Sequence, residues 1–200
     1  MYLADELRAI ATNGLYWSTN EHDRARYDRT LAIAAELASL ADTRSAAEIE
    51  RIFRGDLGMR TPLLSVDGAV FDGSGRLLLI QRADNEAWAM PGGAAEVGET
   101  PAEAVIREVR EETGLAVRAT QLLGIYDSRR VGSPDPAHHY QLVFRCTVIG
   151  GVLVSTSEAV AFDYVGEEEV RSRRLHPGHD VRITDVFRIH RGDIQPAIFH

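Results

Sequence analysis

The chain has 200 residues, 44% of them hydrophobic and 26% charged, which allows one folded domain plus an addition and is ordinary for a globular protein. The formal net charge of −8 argues against a protein that coats nucleic acid, so we expect no nucleic-acid partner. Without a signal peptide, an apolar run of membrane-spanning length or a second cysteine, the chain is expected to be cytoplasmic, with no membrane partner.

The N-terminal residues predict a small helical module. Helical spacing of apolar residues predicts a first helix, which we expect Gly14 to end. Its apolar stripe consists of Leu3, Leu7, Ile10 and Ala11. A second helix is predicted over roughly residues 20–40, and a capping box at 45–48 opens a third. Because some fifty helical residues bury too little surface to be stable alone, the module must pack on the rest of the chain or on a second copy.

Residues 54–58 break the helical pattern and predict a linker, so we divide the chain into a helical module, 1–56, and a second domain, 57–200. Strand-like runs at 63–71 and 77–82 flank a hairpin signal, Asp72-Gly73-Ser74-Gly75. Further runs predict strands at 115–126, 140–149, 152–154 (after a Gly150-Gly151 turn) and 159–165, and a closing helix at 180–190. The second domain is therefore predicted to be α/β, with a mixed sheet sandwiched by helices.

A well-marked helix is predicted from about Pro101 to Thr113. Thr100 and Glu103 form a capping box around the proline, and Gly114 suits the left-handed residue that ends a helix. An apolar stripe on this helix faces a core. The neighbouring flank carries three carboxylates, at Glu108, Glu111 and Glu112.

Two interpretations of this acidic flank are possible. It could be a solvated helix face, although Glu108 and Glu111 have no basic residue four positions on to relieve their repulsion. It could also hold a divalent cation, and all-oxygen ligation suits Mg²⁺ or Mn²⁺. Gly92, Gly93 and Gly98 precede the helix, where exposed N–H groups and close backbone approach favour a phosphate. Together these features predict metal-assisted hydrolysis of a phosphoanhydride.

Residues 93–115 follow the spacing G-x5-E-x7-R-E-U-x-E-E-x-G-U, in which U is aliphatic. This is the spacing of the Nudix box, and the chain resembles the Nudix hydrolases, which implies an α/β/α sandwich. The resemblance implies that Glu108 and Glu112 bind metal, that Glu111 binds it directly or through water, and that Glu99 assists through water.

The same resemblance implies that Arg107 orients the carboxylates and that the backbone carbonyl of Gly92 is a further ligand. The general base varies within the family and can lie outside the box. Glu158 is our candidate for a remote ligand or base, because it lies in a loop after a strand, where such a residue is usually found. The alternative is an ordinary exposed loop glutamate.

Several outer segments resemble a Nudix subfamily that has an N-terminal helical module and cleaves nucleoside diphosphates linked to another moiety, of the CDP-choline or ADP-ribose type. They are residues 13–17, 24–28, 61–62, 88, 138–140, 150–151 and 156–158. The resemblance implies a nucleotide substrate, and we expect a homodimer formed through the module, which would also help to cover the substrate. One departure is Ala94-Ala95-Glu96, where the subfamily carries an aromatic residue, so the base and the linked group are left open.

Other residues are candidates for contact with the substrate. Arg82 could hold the diphosphate, assisted by the backbone of Gly93, or could be a surface arginine. Aromatic rings stack bases without discrimination, which makes Tyr126 and Tyr140 candidates. His138 and His139 could contact substrate or be exposed loop histidines, and the histidine spacing does not indicate zinc.

The predicted activity is Mg²⁺-dependent hydrolysis of a nucleoside diphosphate-X to a nucleoside monophosphate and phospho-X. One alternative keeps the chemistry but changes the substrate, to nucleoside triphosphates or the end of an RNA. The other is a catalytically silent nucleotide sensor, against which the intact carboxylate set argues.

Overall fold

The computed structural model describes residues 2–133 and 137–199. The chain forms two compact units, Met1–Pro62 and Leu63–His200, which divide near the predicted linker. No helix in the described ranges combines the length and the apolar character needed to cross a lipid bilayer.

The N-terminal unit consists of three helices, as predicted. They are α1 (Tyr2–Trp17), α2 (Glu21–Ser39) and α3 (Ala46–Arg54). The side chain of Asn20 caps α2 by accepting hydrogen bonds from two backbone N–H groups, and Ser45 and Glu48 form the predicted capping box of α3. Leu31 of α2 is fully buried in the small core of this unit.

Gly14 does not end the first helix, contrary to our prediction. It lies within α1, and a Cβ atom at this position would come 2.4 Å from Cδ1 of Tyr27. The glycine therefore lets the tyrosine ring of α2 lie directly on the α1 backbone. Its role is close packing of two helices rather than termination of one.

The apolar stripe predicted for α1 is also largely wrong. The helix buries Ala4, Ala11 and Leu15, so that of the predicted stripe only Ala11 reaches the core. Leu3, Ile10 and Trp17, spaced seven residues apart, are 68%, 57% and 68% exposed. An apolar row on α1 is thus left uncovered within one copy of the chain.

The C-terminal unit is a mixed α/β fold, as predicted. Its elements in chain order are β1 (Leu63–Val70), β2 (Leu77–Arg82), β3 (Trp88–Ala89), β4 (Gly92–Ala94), α4 (Pro101–Thr113), β5 (Leu115–Asp127), β6 (His139–Gly151), β7 (Ala159–Val165), α5 (Glu167–Val170), α6 (His179–Arg191) and β8 (Ile198–Phe199). The five-stranded sheet has the order β4-β1-β6-β5-β8, with β1 parallel to β6, and a three-stranded sheet has the order β3-β2-β7.

The two long helices pack on opposite faces of the strands. Val66 and Val70 of β1 pack in one core with α4, whereas Ala69, between them, packs in the other core with α6. This alternation follows from the two-residue period of a strand and produces the α/β/α arrangement. The single cysteine, Cys146, is free and buried in the α4 core, where burial raises the pKa of its thiol to about 12.

Two strand predictions need correction. The turn at residues 72–75 forms, but the strands on either side do not make a paired hairpin, since they meet only at the Phe71–Leu77 bridge. β2 pairs with β7 instead and enters the other sheet. Residues 152–154 are not a strand, because β6 continues through Gly151, which pairs with Leu115 at a φ of 81°.

Candidate active site

Helix α4 presents its glutamates at graded depths. Thr100 and Glu103 form the predicted capping box, Pro101 starts the helix, and Gly114 ends it with a left-handed φ of 77°. Because the stripe centred on Val105 and Val109 is buried, the flank beside it is only partly open. Side-chain exposure is 60% for Glu111 and 12% for Glu108, and Glu112 as a residue is only 6% exposed.

Glu112 is the most perturbed carboxylate of this group. Its pKa is raised to about 8, mainly by burial and also by the nearby charges of Glu108 and Glu158, while the hydrogen bond from the Gly92 N–H and the charge of Arg82 oppose the rise. The Gly92 N–H donates a 2.7 Å hydrogen bond to Oε2 of Glu112. A buried carboxylate among other carboxylates gains much from a bound cation, which would favour its charged form.

Arg107 ties the other acidic residues together. Its Nε and Nη2 donate to the two carboxylate oxygens of Glu99 at 2.6 and 3.0 Å, and its Nη1 donates to Glu108 at 2.8 Å and to Glu111 at 3.0 Å. Nη2 also reaches the carbonyl of Ala94. The hydrogen bonds from Arg107 and from a backbone N–H lower the pKa of Glu99 to about 2. The geometry suits the orienting role expected of this arginine.

Two glycines of β4 allow the close approach on which the site depends. A Cβ on Gly92 would lie 2.1 Å from the carbonyl oxygen of Val66, the backbone of the neighbouring strand. A Cβ on Gly93 would lie 2.6 Å from Oε1 of Glu108. β4 can therefore pair with β1 only with glycine at position 92, and glycine at position 93 leaves room for the Glu108 carboxylate to lie against the strand.

These elements surround an open cavity of about 540 Å³. It is lined by Arg82, Ala83, Asp84, Gly92, Gly93, Ala94, Glu108, Glu112, Ser157 and Glu158. Glu158 is brought here because the Ala83 N–H donates to its carbonyl where β2 and β7 separate, and its residue remains exposed to solvent. The cavity thus brings together the glutamates of α4, the glycines of β4 and Glu158. The exposure of Glu158 is also what the alternative, an ordinary loop glutamate, predicts.

The donor set of this cavity fits a hard divalent cation, since it offers carboxylate and carbonyl oxygens. Among the described residues, however, no three His, Cys, Asp or Glu side chains already converge as a group able to hold a metal ion. One reason is that Glu112 accepts from Gly92 and Glu108 accepts from Arg107, so both carboxylates are held by protein donors. The fit therefore lies in the chemistry of the donors rather than in a completed coordination geometry.

Arg82 projects into the same region. Its guanidinium makes a bidentate ion pair with Asp84, with contacts of 3.0 and 2.8 Å, and it lines both this cavity and an adjoining one. A bidentate guanidinium beside a glycine-rich strand is suited to phosphate oxygens. The contact between Arg82 and a diphosphate stays a prediction, which this position permits.

Of the four predicted aromatic and histidine contacts, only His139 lines a described cavity. His138 pairs with Asp127 at 3.0 Å and packs edge-on against Tyr140, outside both cavities. Tyr126 has no exposed surface: it lies in the core, where its hydroxyl reaches Asp185 at 3.4 Å. The prediction that Tyr126 stacks a base is therefore wrong, since alternation along β5 turns the ring inward.

The buried polar residues of the adjoining cavity were not predicted from the sequence. Asp67 lies in an apolar strand and Arg182 in the closing helix, and their side chains approach to 3.0 Å with almost no exposure. A charged residue inside an apolar strand pattern is the signal that could have identified Asp67, because such groups are rarely buried without a partner.

An α/β/α fold whose capped helix carries clustered glutamates against a glycine strand defines a Nudix-type domain. The NUDIX domain model matches residues 61–186, and the model described as the UDP-X-like, N-terminal oligomerisation domain matches residues 1–53. The chain therefore belongs to the Nudix hydrolase family.

Similar proteins include a putative ADP-ribose pyrophosphatase, YjhB, of Bacillus subtilis, 34% identical over 149 residues, or 74% of this chain and 71% of that protein. The ADP-ribose pyrophosphatase of Methanocaldococcus jannaschii is 42% identical over 135 residues, 66% of this chain and 76% of the relative. A crystal structure of a UDP-X diphosphatase superposes with a TM-score of 0.65 at 22% identity, covering 98% of this chain and 96% of the other, and supports the fold.

Proposed function

We propose that the protein hydrolyses the diphosphate bridge of a nucleoside diphosphate-X, of the ADP-ribose or CDP-choline type, with Mg²⁺ or Mn²⁺ as its cofactor. The observation that carries the proposal is the cavity in which Glu108, Glu112 and Glu158 meet Gly92 and Gly93. The similarity to the ADP-ribose pyrophosphatase of Methanocaldococcus jannaschii, and to a protein named as a putative one in Bacillus subtilis, supports the substrate class.

The cation would be held by Glu108 and Glu112, with Glu111 as a direct or water-linked ligand, Glu99 acting through water and the Gly92 carbonyl as a further donor. A bound divalent cation neutralises phosphate charge and activates water. Through its pairs with Glu99, Glu108 and Glu111, Arg107 keeps these carboxylates from turning away.

In the reaction, the oxygen of water bonds to one phosphorus while the bridging P–O bond breaks, and a carboxylate accepts the proton of the water. We propose that Glu158 accepts this proton, because it lines the cavity and makes none of the contacts that hold the glutamates of α4 in place. Glu111 is the alternative acceptor. Arg82 would transfer its bidentate grip from Asp84 to the phosphate oxygens, which stabilises the departing phosphate.

The first expected result concerns the substrate. A nucleoside diphosphate-X should be cleaved with a higher kcat/KM than the matching triphosphate, because a group on each side of the diphosphate can contact the protein. The products should be a nucleoside monophosphate and phospho-X, measured by chromatography over a panel of ADP-ribose, nucleotide sugars, CDP-alcohols and triphosphates. A tenfold preference for triphosphates with release of pyrophosphate would instead establish the alternative activity, hydrolysis of nucleoside triphosphates.

The second expected result concerns assembly. We propose a homodimer in which the exposed row Leu3, Ile10 and Trp17 of α1 packs on a second copy, in keeping with the seven-residue spacing and with the match to an oligomerisation domain model. A charge on this row would be buried without a partner, so Ile10→Asp should dissociate the dimer at tens of micromolar, as measured by light scattering.

The matched control is Ile149→Asp, which places the same charge on an equally exposed isoleucine of β6 in the other unit. It should leave the dimer intact. A wild-type monomer at these concentrations, or equal dissociation by both variants, would contradict the assigned interface.

A further inference from the structure

A second cavity, of about 550 Å³, adjoins the first. Five lining residues are common to the two cavities: Arg82, Asp84, Gly92, Gly93 and Ala94. A substituent on a diphosphate held in the first cavity can therefore extend into the second. The chemistry of the second cavity then decides which substituents it accepts.

The buried wall of this cavity is built around an ion pair. Nε of Arg182 lies 3.0 Å from Oδ2 of Asp67, and the residues are 1% and 7% exposed. A second nitrogen of the same guanidinium, Nη1, donates to Oε1 of Gln141. This contact fixes the amide so that its NH₂ group is left to donate elsewhere. A carboxylate and an amide donor thus line one wall, joined by a guanidinium.

The charges that line the cavity are balanced. Arg82 pairs with Asp84, and Arg182 pairs with Asp67. Burial raises the pKa of the Asp67 carboxyl, and the charges of Arg182 and Arg82 oppose that rise and favour its ionised form. His179 is kept neutral, because burial and the neighbouring Arg182 lower the pKa of its ring well below the ordinary value. A wall of paired charges offers hydrogen bonds without a net field, which suits a neutral polar group better than an ion.

The described lining also contains no Phe, Tyr or Trp. A quaternary ammonium group would find no aromatic cage, and a nucleobase would find no large ring to stack on. Alternating acceptors and donors instead match neighbouring hydroxyl groups, each of which can donate and accept.

We propose that this cavity, the Asp67–Arg182 subsite, binds a neutral, hydroxyl-bearing group X, such as a pentose, attached to the diphosphate. Asp67 accepts from its hydroxyl groups and Gln141 donates to them. The inference rests on the proposed hydrolysis of a nucleoside diphosphate-X. It narrows the class of X to sugars and excludes alcohols that carry an ammonium group.

The test compares kcat/KM for ADP-ribose with that for the methyl ester of ADP, whose X has no hydroxyl group. Wild type should favour ADP-ribose by about tenfold or more, the scale of one or two hydrogen bonds. Gln141→Leu and Asp67→Asn should each reduce this ratio several-fold. Gln121→Leu, the same change at an exposed position of the adjacent strand β5, should leave the ratio as in wild type.

Each outcome bears on a separate claim. The subsite inference is overturned, while the proposed hydrolysis stands, if wild type cleaves both compounds equally or prefers CDP-choline to ADP-ribose. It is also overturned if Gln141→Leu loses the same fraction of activity on both compounds. If wild type cleaves no diphosphate-X, the proposed function fails and the subsite inference fails with it. Should Asp67→Asn fail to fold, as judged by circular dichroism, the ratio in Gln141→Leu decides.

Discussion

Glu112→Gln should lower kcat by at least about a hundredfold under saturating Mg²⁺. The substitution keeps the shape of the side chain but removes the negative charge that lies deepest in the cavity, and loss of one key electrostatic group at an active site has this magnitude. Glu111→Gln should have a smaller effect, because Glu111 is 60% exposed and reaches the site from its edge.

The same variant should change the pH dependence of stability. The pKa of Glu112 is raised by folding, from an ordinary value of 4.5 to about 8, so the metal-free folded protein holds a proton there that the unfolded chain has lost. The free energy of unfolding therefore falls as pH rises through that interval. Glutamine cannot ionise, so the metal-free variant should match wild type near pH 5 and exceed it above pH 8 by on the order of a few kcal/mol.

The measurement is thermal unfolding of both proteins in EDTA at the two pH values, with Glu36→Gln, an exposed change on α2, as the control that should alter neither activity nor the pH trend. Added Mg²⁺ should raise the Tm of wild type above pH 8 and do so less in Glu112→Gln. Near-normal turnover in the variant would remove Glu112 from the metal site.

Alanine at the two glycines of β4 should have different effects: one substitution should lower the stability of the fold and the other should lower kcat. In Gly92→Ala the new Cβ would meet the Val66 carbonyl and the Asp67 backbone, which cannot move without separating β4 from β1, so we expect destabilisation of about 3 kcal/mol or more. In Gly93→Ala the Cβ would meet only the carboxylate of Glu108, which can turn aside. That variant should fold well and lose about tenfold or more in kcat.

Gly73→Ala is the matched control, since nothing lies within 4 Å of its Cβ position. Denaturant unfolding and steady-state kinetics of the three variants separate the two effects. If Gly93→Ala were as unstable as Gly92→Ala, or kept full turnover, the contact between β4 and Glu108 would not hold the geometry that we assign to it.

Local signals in the sequence predicted much of this molecule. The capping boxes at Thr100 and Ser45 fix where α4 and α3 begin, and the structure contains both. The spacing of the glutamates also predicted their shared flank, because helix geometry alone places residues three and four apart on one side. The grouping of Glu108 and Glu112 follows from these local rules, whereas the hydrogen bond between Gly92 and Glu112 depends on how β4 packs against α4.

Non-local contacts account for the errors. Gly14 was expected to end a helix because glycine favours termini, and only the ring of Tyr27, on another helix, explains its place inside α1. The turn at residues 72–75 predicts a reversal of the chain but not that β2 pairs with β7. The Asp67–Arg182 pair joins residues more than a hundred positions apart, and no pattern within either segment specifies the partner.

The most direct test of the central claim is hydrolysis of ADP-ribose by the wild-type protein, with and without Mg²⁺, followed by chromatography of the products. We predict AMP and ribose 5-phosphate when Mg²⁺ is present, and almost complete loss of both in EDTA. Unchanged turnover in EDTA would contradict a metal-assisted reaction at the Glu108–Glu112 cavity, and products other than a nucleoside monophosphate and phospho-X would contradict cleavage of the diphosphate bridge.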